Sequence, residues 1–231
     1  MYILKIQRGG YLFMLKSYIL GISKNPMCFM MYKILFSLVI GLTITGFVGN
    51  YAQGVKADIE NSVVRLHVLA NSDSIDDQQL KLKVRDKVIG YLQDKLKNAN
   101  STDETKVIIS REIENIRNVA IAEIANNGYN YNVEALLGNF DFPTKKYGDS
   151  QFPAGKYDAL RILIGNAEGK NWWCVLYPQL CFIDNTNGKL PDESKQKLKN
   201  VLTEDEYNIV TSPDGNIPVK IKFRILEIFC K

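Results

Sequence analysis

The first 57 residues contain no aspartate or glutamate, and this asymmetry divides the chain into two parts of different character. Residues 34–48, ILFSLVIGLTITGFV, form an uncharged and mostly apolar run that directly follows Lys33. A run of this length, with a basic residue before it and small residues after it, is typical of a leader for export. A permanent membrane span takes ~20 apolar residues. A cleaved signal therefore fits better than an anchor, and residues 34–55 would contact the membrane if the leader were retained.

The residues after the apolar run predict where the leader ends. Val55 and Ala57 place small side chains at the −3 and −1 positions of a leader-peptidase site, which would release a body that begins at Asp58. Ala52 offers a weaker second position. We therefore predict a signal peptide or membrane anchor over residues 30–57.

Residues 1–29 contain a second apolar stretch, which Lys16 interrupts. Two tandem leaders have no obvious use, and a start at Met30 or Met31 would give a conventional leader with Lys33. We therefore interpret residues 1–29 as a dispensable extension. A genuine two-segment anchor is the alternative.

The body, residues 58–231, carries no net basic charge. Six of the 29 basic residues precede Asp58, which leaves 23 basic against 25 acidic groups in the body. A protein that binds nucleic acid needs a basic face to neutralise phosphates. Nucleic acid is therefore not an expected partner.

The body reads as a single α+β domain. Alternating branched residues predict strands, while the capping pairs Ser74 with Asp77 and Ser101 with Glu104 open two helices. The predicted elements are a strand over 61–70, helices over 74–97 and 101–128, strands over 129–137, 157–165 and 171–184, one or two helices over 189–210, and a strand over 219–225. Residues 138–156, rich in Pro and Gly, are expected to form a long loop. This order predicts a mixed or antiparallel sheet with a helical hairpin packed on one face.

Three cysteines lie in the exported body, where oxidation is possible. In one straight strand, the Cα atoms of Cys174 and Cys181 would be ~23 Å apart, far beyond the ~4.4–6.8 Å between Cα atoms that a disulfide allows. Pro178 argues against such a strand, and a fold-back there would place the two cysteines opposite each other. We predict this disulfide, with two buried thiols as the alternative, and Cys230 as the odd thiol.

The motifs of common enzyme classes are missing, and the chain holds a single histidine. That count excludes multi-histidine metal sites, and no cofactor is expected. His67 could act as a general base oriented by Asp73 or Asp77, but a lone strand histidine is more often a packing residue. The sequence thus leaves a minor alternative, an exported hydrolase of cell wall or peptide.

Two blocks of sequence carry a family likeness. Residues 65–74, RLHVLANSDS, with DQ at 77–78 and LKLKVRD at 80–86, resemble the opening signature of the stage II sporulation protein R family. Residues 153–162, PAGKYDALRI, and 171–184 resemble its second signature. The signature positions of the first block are Arg65, His67, Asn71, Ser72, Asp73, Asp77, Gln78, Lys81, Arg85 and Asp86.

The resemblance implies a function that the composition could not supply. Members of the family are made in the forespore and exported into the space between the two septal membranes. There they activate a membrane-embedded aspartic protease of the mother cell, which matures pro-sigma-E. The resemblance thus implies a signalling ligand, without catalytic residues, whose partner is that protease.

Aromatic and basic residues are the candidates for the partner-binding surface, because such residues anchor protein interfaces. The candidates are Trp172, Trp173, Tyr177, Arg85 and Arg161, together with the 138–156 segment. In an extended segment the two tryptophans point to opposite faces, so one of them is expected to enter the core.

Overall fold

A single long helix contains the apolar N-terminal run and ends at the start of the body in the computed structural model, which describes residues 26–181 and 192–212. This helix, α1, spans Pro26–Asn61. Within the described residues it is the one helix long and apolar enough to cross a membrane, with a mean hydropathy of 2.0 over 18 residues and none of them buried. The chain divides into two compact units between Tyr51 and Ala52. Near the end of the helix, Val55 and Ile59 are buried.

A four-stranded mixed sheet forms the centre of the body. Its strands are β1 (Val64–Leu69), β2 (Val133–Phe142), β5 (Gly155–Ile164) and β6 (Asn171–Tyr177). They lie in the order β2-β5-β1-β6, with β1 and β5 parallel and the two outer pairings antiparallel. The short strands β3 (Lys145–Tyr147) and β4 (Ser150–Phe152) form a separate hairpin.

A helical hairpin covers one face of the sheet. Helix α2 spans Ile75–Leu96 and α3 spans Thr102–Asn126. Ser74 and Ser101 accept hydrogen bonds from the backbone amides of Asp77 and Glu104, which stabilises the first turn of each helix. The apolar stripes of both helices pack against inward-facing side chains of the strands, forming the first core cluster.

A second core cluster lies on the opposite face. The end of α1, the β3–β4 hairpin and the helices α4 (Asp192–Val201) and α5 (Glu204–Val210) contribute its buried side chains. Because these elements gather around one part of the sheet, some side chains farther along the same face stay half-buried.

Most predicted elements are confirmed: the mixed sheet, the helical hairpin on one face, and the two short helices before residue 211. The prediction of a loop over 138–156 is wrong. Strand β2 continues to Phe142, the β3–β4 hairpin follows, and β5 begins at Gly155. The predicted strand over 129–137 instead runs from Val133 to Phe142. The physical reason is that Phe142 and Phe152 are buried in the second cluster.

The predicted strand over 171–184 is shorter than expected, because the chain turns at Pro178. Strand β6 ends at Tyr177, and Cys174 and Cys181 form a disulfide with their Cα atoms 5.7 Å apart. The predicted fold-back and disulfide are therefore confirmed. The predicted strand over 219–225 and Cys230 lie outside the described residues.

Candidate functional site

Signature residues form a hydrogen-bonded corner between β1 and α2. The Asp77 carboxylate, 5% exposed, accepts hydrogen bonds from Asn71 Nδ2 at 2.9 Å and Ser72 Oγ at 2.6 Å. Burial by itself would raise the pKa of Asp77, but these hydrogen bonds outweigh it and hold the pKa below its ordinary value. The carboxylate is thus a fixed acceptor at neutral pH.

The same corner is tied to the loop between β5 and β6. The amide of Asn166 donates to Asn71 Oδ1 at 2.9 Å, and the amide of Lys170 donates to Asp73 Oδ1 at 2.6 Å. Lys81 Nζ completes the tie by donating to the Lys170 carbonyl at 2.8 Å. Two segments almost a hundred residues apart in sequence are therefore held together by polar signature side chains.

A glycine makes this close approach of the two loops possible. A Cβ at Gly169 would overlap the backbone carbonyl of Ser72. The Gly169 amide also donates to the Ala70 carbonyl at 3.0 Å. Gln78 Nε2 adds a hydrogen bond to the Ser72 carbonyl at 2.8 Å. Asn71, Ser72, Asp73, Asp77, Gln78 and Lys81 therefore all have a structural explanation in this corner.

His67 does not join these carboxylates. Its Nε2 lies 2.7 Å from Asn171 Oδ1, and its ring stacks on that of Trp173 with the centroids 3.6 Å apart. Burial lowers the pKa of His67 to about 4, and the positive charges of Arg161 and Arg65 add to that effect. The side chain is therefore neutral at pH 7, and the set His67, Asp73 and Asp77 is not brought together as a catalytic unit.

Arg65 is fully buried on the same face as His67. Its Nη2 donates to Tyr147 Oη at 2.7 Å, and its guanidinium lies 4.3 Å from the ring centre of Phe142 and 4.8 Å from that of Tyr157. No acidic side chain in the described ranges forms an ion pair with it. Aromatic faces instead stabilise its charge.

The five candidate partner-binding residues lie in three places. Arg85 lies over the Trp172 ring at 4.8 Å on the face that carries the helical hairpin, and it also pairs with Asp86. Trp173 and Arg161 lie on the opposite face. Tyr177 is buried in the first core cluster at the end of β6, where its hydroxyl donates to the Asn100 carbonyl at 2.6 Å.

The register of the strands groups one set of half-buried side chains. Leu136, Arg161, His67 and Trp173 are direct neighbours across all four strands, and Leu163 lies two residues after Arg161 on β5. Of these, only His67 is fully buried. We call Leu136, Arg161, Leu163 and Trp173 the open sheet face.

The charge of Arg161 has no acidic partner on the open sheet face. Its guanidinium lies 4.6 Å from the ring centre of Phe140, and its Nε is buried without a hydrogen-bond partner. No carboxylate in residues 26–181 or 192–212 lies within ion-pair distance of it. Glu134 lies opposite Leu163 on the same face but forms no ion pair with Arg161. The open sheet face thus combines apolar side chains with an arginine that has no ion-pair partner, and both kinds of side chain are common in protein interfaces.

Sequence reasoning missed two parts of this arrangement. It did not select Leu136 and Leu163, because a leucine on a predicted strand gives no signal that one face is only partly covered. It also missed the aromatic surroundings of Arg65, three of which, Phe142, Tyr147 and Phe152, lie in the segment predicted to be a loop. The recurrence of Phe and Tyr at 140, 142, 147 and 152 was the available signal.

Comparisons with known proteins agree with the two signature blocks. The sequence model of the family described as stage II sporulation protein R matches residues 60–187. Stage II sporulation protein R of Bacillus subtilis (strain 168) is 40% identical over 139 residues, which cover 60% of this chain and 62% of that relative. No solved structure matches the chain. The chain belongs to the stage II sporulation protein R family.

Proposed function

We propose that this protein is exported from the forespore into the septal intermembrane space. There it binds the outer face of a membrane-embedded aspartic protease of the mother cell and triggers maturation of pro-sigma-E. Membership of the sporulation family supports a role in sporulation, and the apolar helix α1 is consistent with a signal or an anchor. The choice of partner rests on the family resemblance.

The surroundings of the polar signature residues favour binding over catalysis. Asp73 and Asp77 accept hydrogen bonds that hold loops together, and His67 is enclosed by Asn171 and Trp173. A general base must reach the proton that it removes. Side chains already engaged in this way are suited to holding a surface in shape.

The lack of an ion-pair partner for Arg161 is the observation that carries the proposed mode of binding. A guanidinium with a buried Nε and no carboxylate partner is costly to leave unpaired in an apolar setting. A partner that brings a carboxylate flanked by apolar side chains would pair this charge and cover Leu136, Leu163 and Trp173. We therefore propose that the protease contributes such an acidic, apolar segment. To activate the protease, that contact must be stronger in the active arrangement than in the inactive one.

The test is the Arg161→Leu variant, with Arg85→Leu as its matched control. Leucine keeps an apolar side chain beside the leucines of the open sheet face, and it removes the charge, the hydrogen-bonding groups and the contact of the guanidinium with Phe140. Arg85 is also half-buried over an aromatic ring, but it lies on the opposite face and is already paired with Asp86. The measurement is the fraction of pro-sigma-E matured in sporulating cells, alongside the amount and melting temperature of each exported variant.

We expect Arg161→Leu to reduce maturation at least tenfold while exported protein and melting temperature stay near the wild-type values, and Arg85→Leu to retain maturation. Full activity of a folded Arg161→Leu variant would contradict the proposed surface. Equal losses for both arginine variants would contradict it as well, because they would point to a general effect of charge.

A further inference from the structure

The last two turns of the leader helix belong to the folded body. Val55 is 8% exposed and Ile59 is 1% exposed, and both lie in the second core cluster with residues of β4, β5 and α4. Lys56 Nζ lies 3.6 Å from Glu60 Oε1, and a Cβ at Gly155 would overlap that same carboxylate. The end of the helix is thus packed against the first residue of β5.

This packing conflicts with cleavage after Ala57. A chain that begins at Asp58 would lack Val55 and Lys56, and Ile59 would remain on a helical stub of four residues. A single turn of helix does not hold itself together in water, because its nucleation is unfavourable. Cleavage at that bond would therefore uncover apolar side chains of the second cluster.

A second small-residue pattern lies just ahead of the buried positions. Ala52 and Gly54 stand at −3 and −1 relative to the bond between Gly54 and Val55, which satisfies the small-residue rule for leader cleavage. Gly54 is exposed, and a Cβ there would meet no atom within 4 Å. Gly46, Gly49 and Gly54 together weaken this part of the helix, so it can be unwound to reach a peptidase. The chain also divides into its two compact units close by, between Tyr51 and Ala52.

We infer that a membrane leader peptidase cleaves the bond between Gly54 and Val55. Water adds across the amide, leaving a carboxylate on Gly54 and an amino group on Val55, and the mature chain keeps Val55 and Ile59, the residues of this helix that lie in the second core cluster. The inference shares only the export of the chain with the proposed function. A protein cleaved elsewhere could still activate the protease, and a protein cleaved here could fail to.

The test is the N-terminal sequence and intact mass of the exported product, purified from a sporulating host that expresses the full chain. We expect a product that begins at Val55. A product that begins at Asp58 or Gln53, or that keeps the leader, would overturn the inference.

Two matched variants test which residue the peptidase recognises at the −1 position. Gly54→Leu places a large side chain at the −1 position and is expected to leave the leader attached. Ala57→Leu is equally exposed on the helix and is expected to leave the product beginning at Val55. Cleavage blocked by Ala57→Leu, or unaffected by Gly54→Leu, would also overturn the inference.

Discussion

Replacing Asp77 by asparagine tests the structural role of the signature corner. In the wild type, one buried carboxylate oxygen accepts hydrogen bonds from Asn71 Nδ2 and Ser72 Oγ. Because both donors reach the same oxygen, the amide oxygen of asparagine can still accept from both, but as a neutral acceptor it forms weaker hydrogen bonds. The weakening of two charge-assisted hydrogen bonds should lower the free energy of unfolding by about 2–4 kcal/mol.

That loss is large against the 5–15 kcal/mol by which domains are typically stable. In a body of this size it corresponds to a decrease in melting temperature of roughly 5–15 °C. The measurement is urea unfolding of the purified protein, monitored by tryptophan fluorescence. The matched control is Asp76→Asn, which removes the same charge from an exposed neighbour in the first turn of α2 and should cost less than about 1 kcal/mol.

The pH dependence gives a second readout of the same variant. Because the pKa of Asp77 in the folded state lies below its ordinary value, its stabilising contribution is present at neutral pH and is lost as the pH falls through the acidic range. Asp77→Asn should remove that part of the acid sensitivity. Equal unfolding free energies for the Asp76 and Asp77 variants would refute the reasoning, because they would mean that the corner contributes no more than a surface charge.

Three further predictions concern stability. The pKa of His67 falls from 6.5 to about 4 on folding, so the wild type should lose roughly 3 kcal/mol between pH 6.5 and pH 4. His67→Gln should flatten the dependence of the unfolding free energy on pH over that range, measured by urea unfolding at each pH. An unchanged dependence on pH would contradict the assignment. Reduction of the disulfide between Cys174 and Cys181 should cost about 2.5 kcal/mol in the chain-entropy model, and an unchanged unfolding midpoint in reductant would contradict it. Gly169→Ala should destabilise by about 1–3 kcal/mol, because its Cβ meets backbone. Gly90→Ala, in an open helical position, should instead stabilise by up to ~1 kcal/mol; a stable Gly169→Ala protein would show that the loops can separate.

The sequence predicted the elements whose signals are local. Alternation gave β1, and the capping serines gave the starts of α2 and α3, because each pattern is produced by contacts within a few residues. The disulfide could also be predicted from the sequence. Pro178 argues against a straight strand, and a fold-back there brings the two cysteines opposite each other.

The sequence could not predict how the sheet faces are covered. The composition of the 138–156 segment is typical of a loop, because this segment contains Pro143, Gly148, Pro153 and Gly155. Aromatic side chains between these residues nevertheless pack on Arg65, and the segment forms strands. Tertiary burial thus overrides local turn signals here. The sequence likewise gave no sign that Val55 leaves the leader and enters the core, because its neighbours in sequence read as a leader.

The signature residues also show that spacing along the chain does not predict which side chains form contacts. Seen along the chain, His67, Asp73 and Asp77 are close enough to suggest a general base with an orienting acid. In three dimensions each of them has a different hydrogen-bond partner. His67 contacts Asn171, Asp73 accepts from the Lys170 amide, and Asp77 accepts from Asn71 and Ser72. The register of β1 against β6 determines the partner of His67, and the position of the β5–β6 loop determines that of Asp73. Neither can be read from the order of residues along the chain.

The most direct test of the central claim is cleavage of pro-sigma-E by the aspartic protease reconstituted in vesicles, with and without the purified exported chain. Catalysis is separated from activation by repeating the assay with a protease whose catalytic aspartate is replaced. The proposed function predicts cleavage only when the exported chain and the intact protease are both present. Cleavage by the exported chain with the inactive protease, or by the exported chain alone, would contradict it.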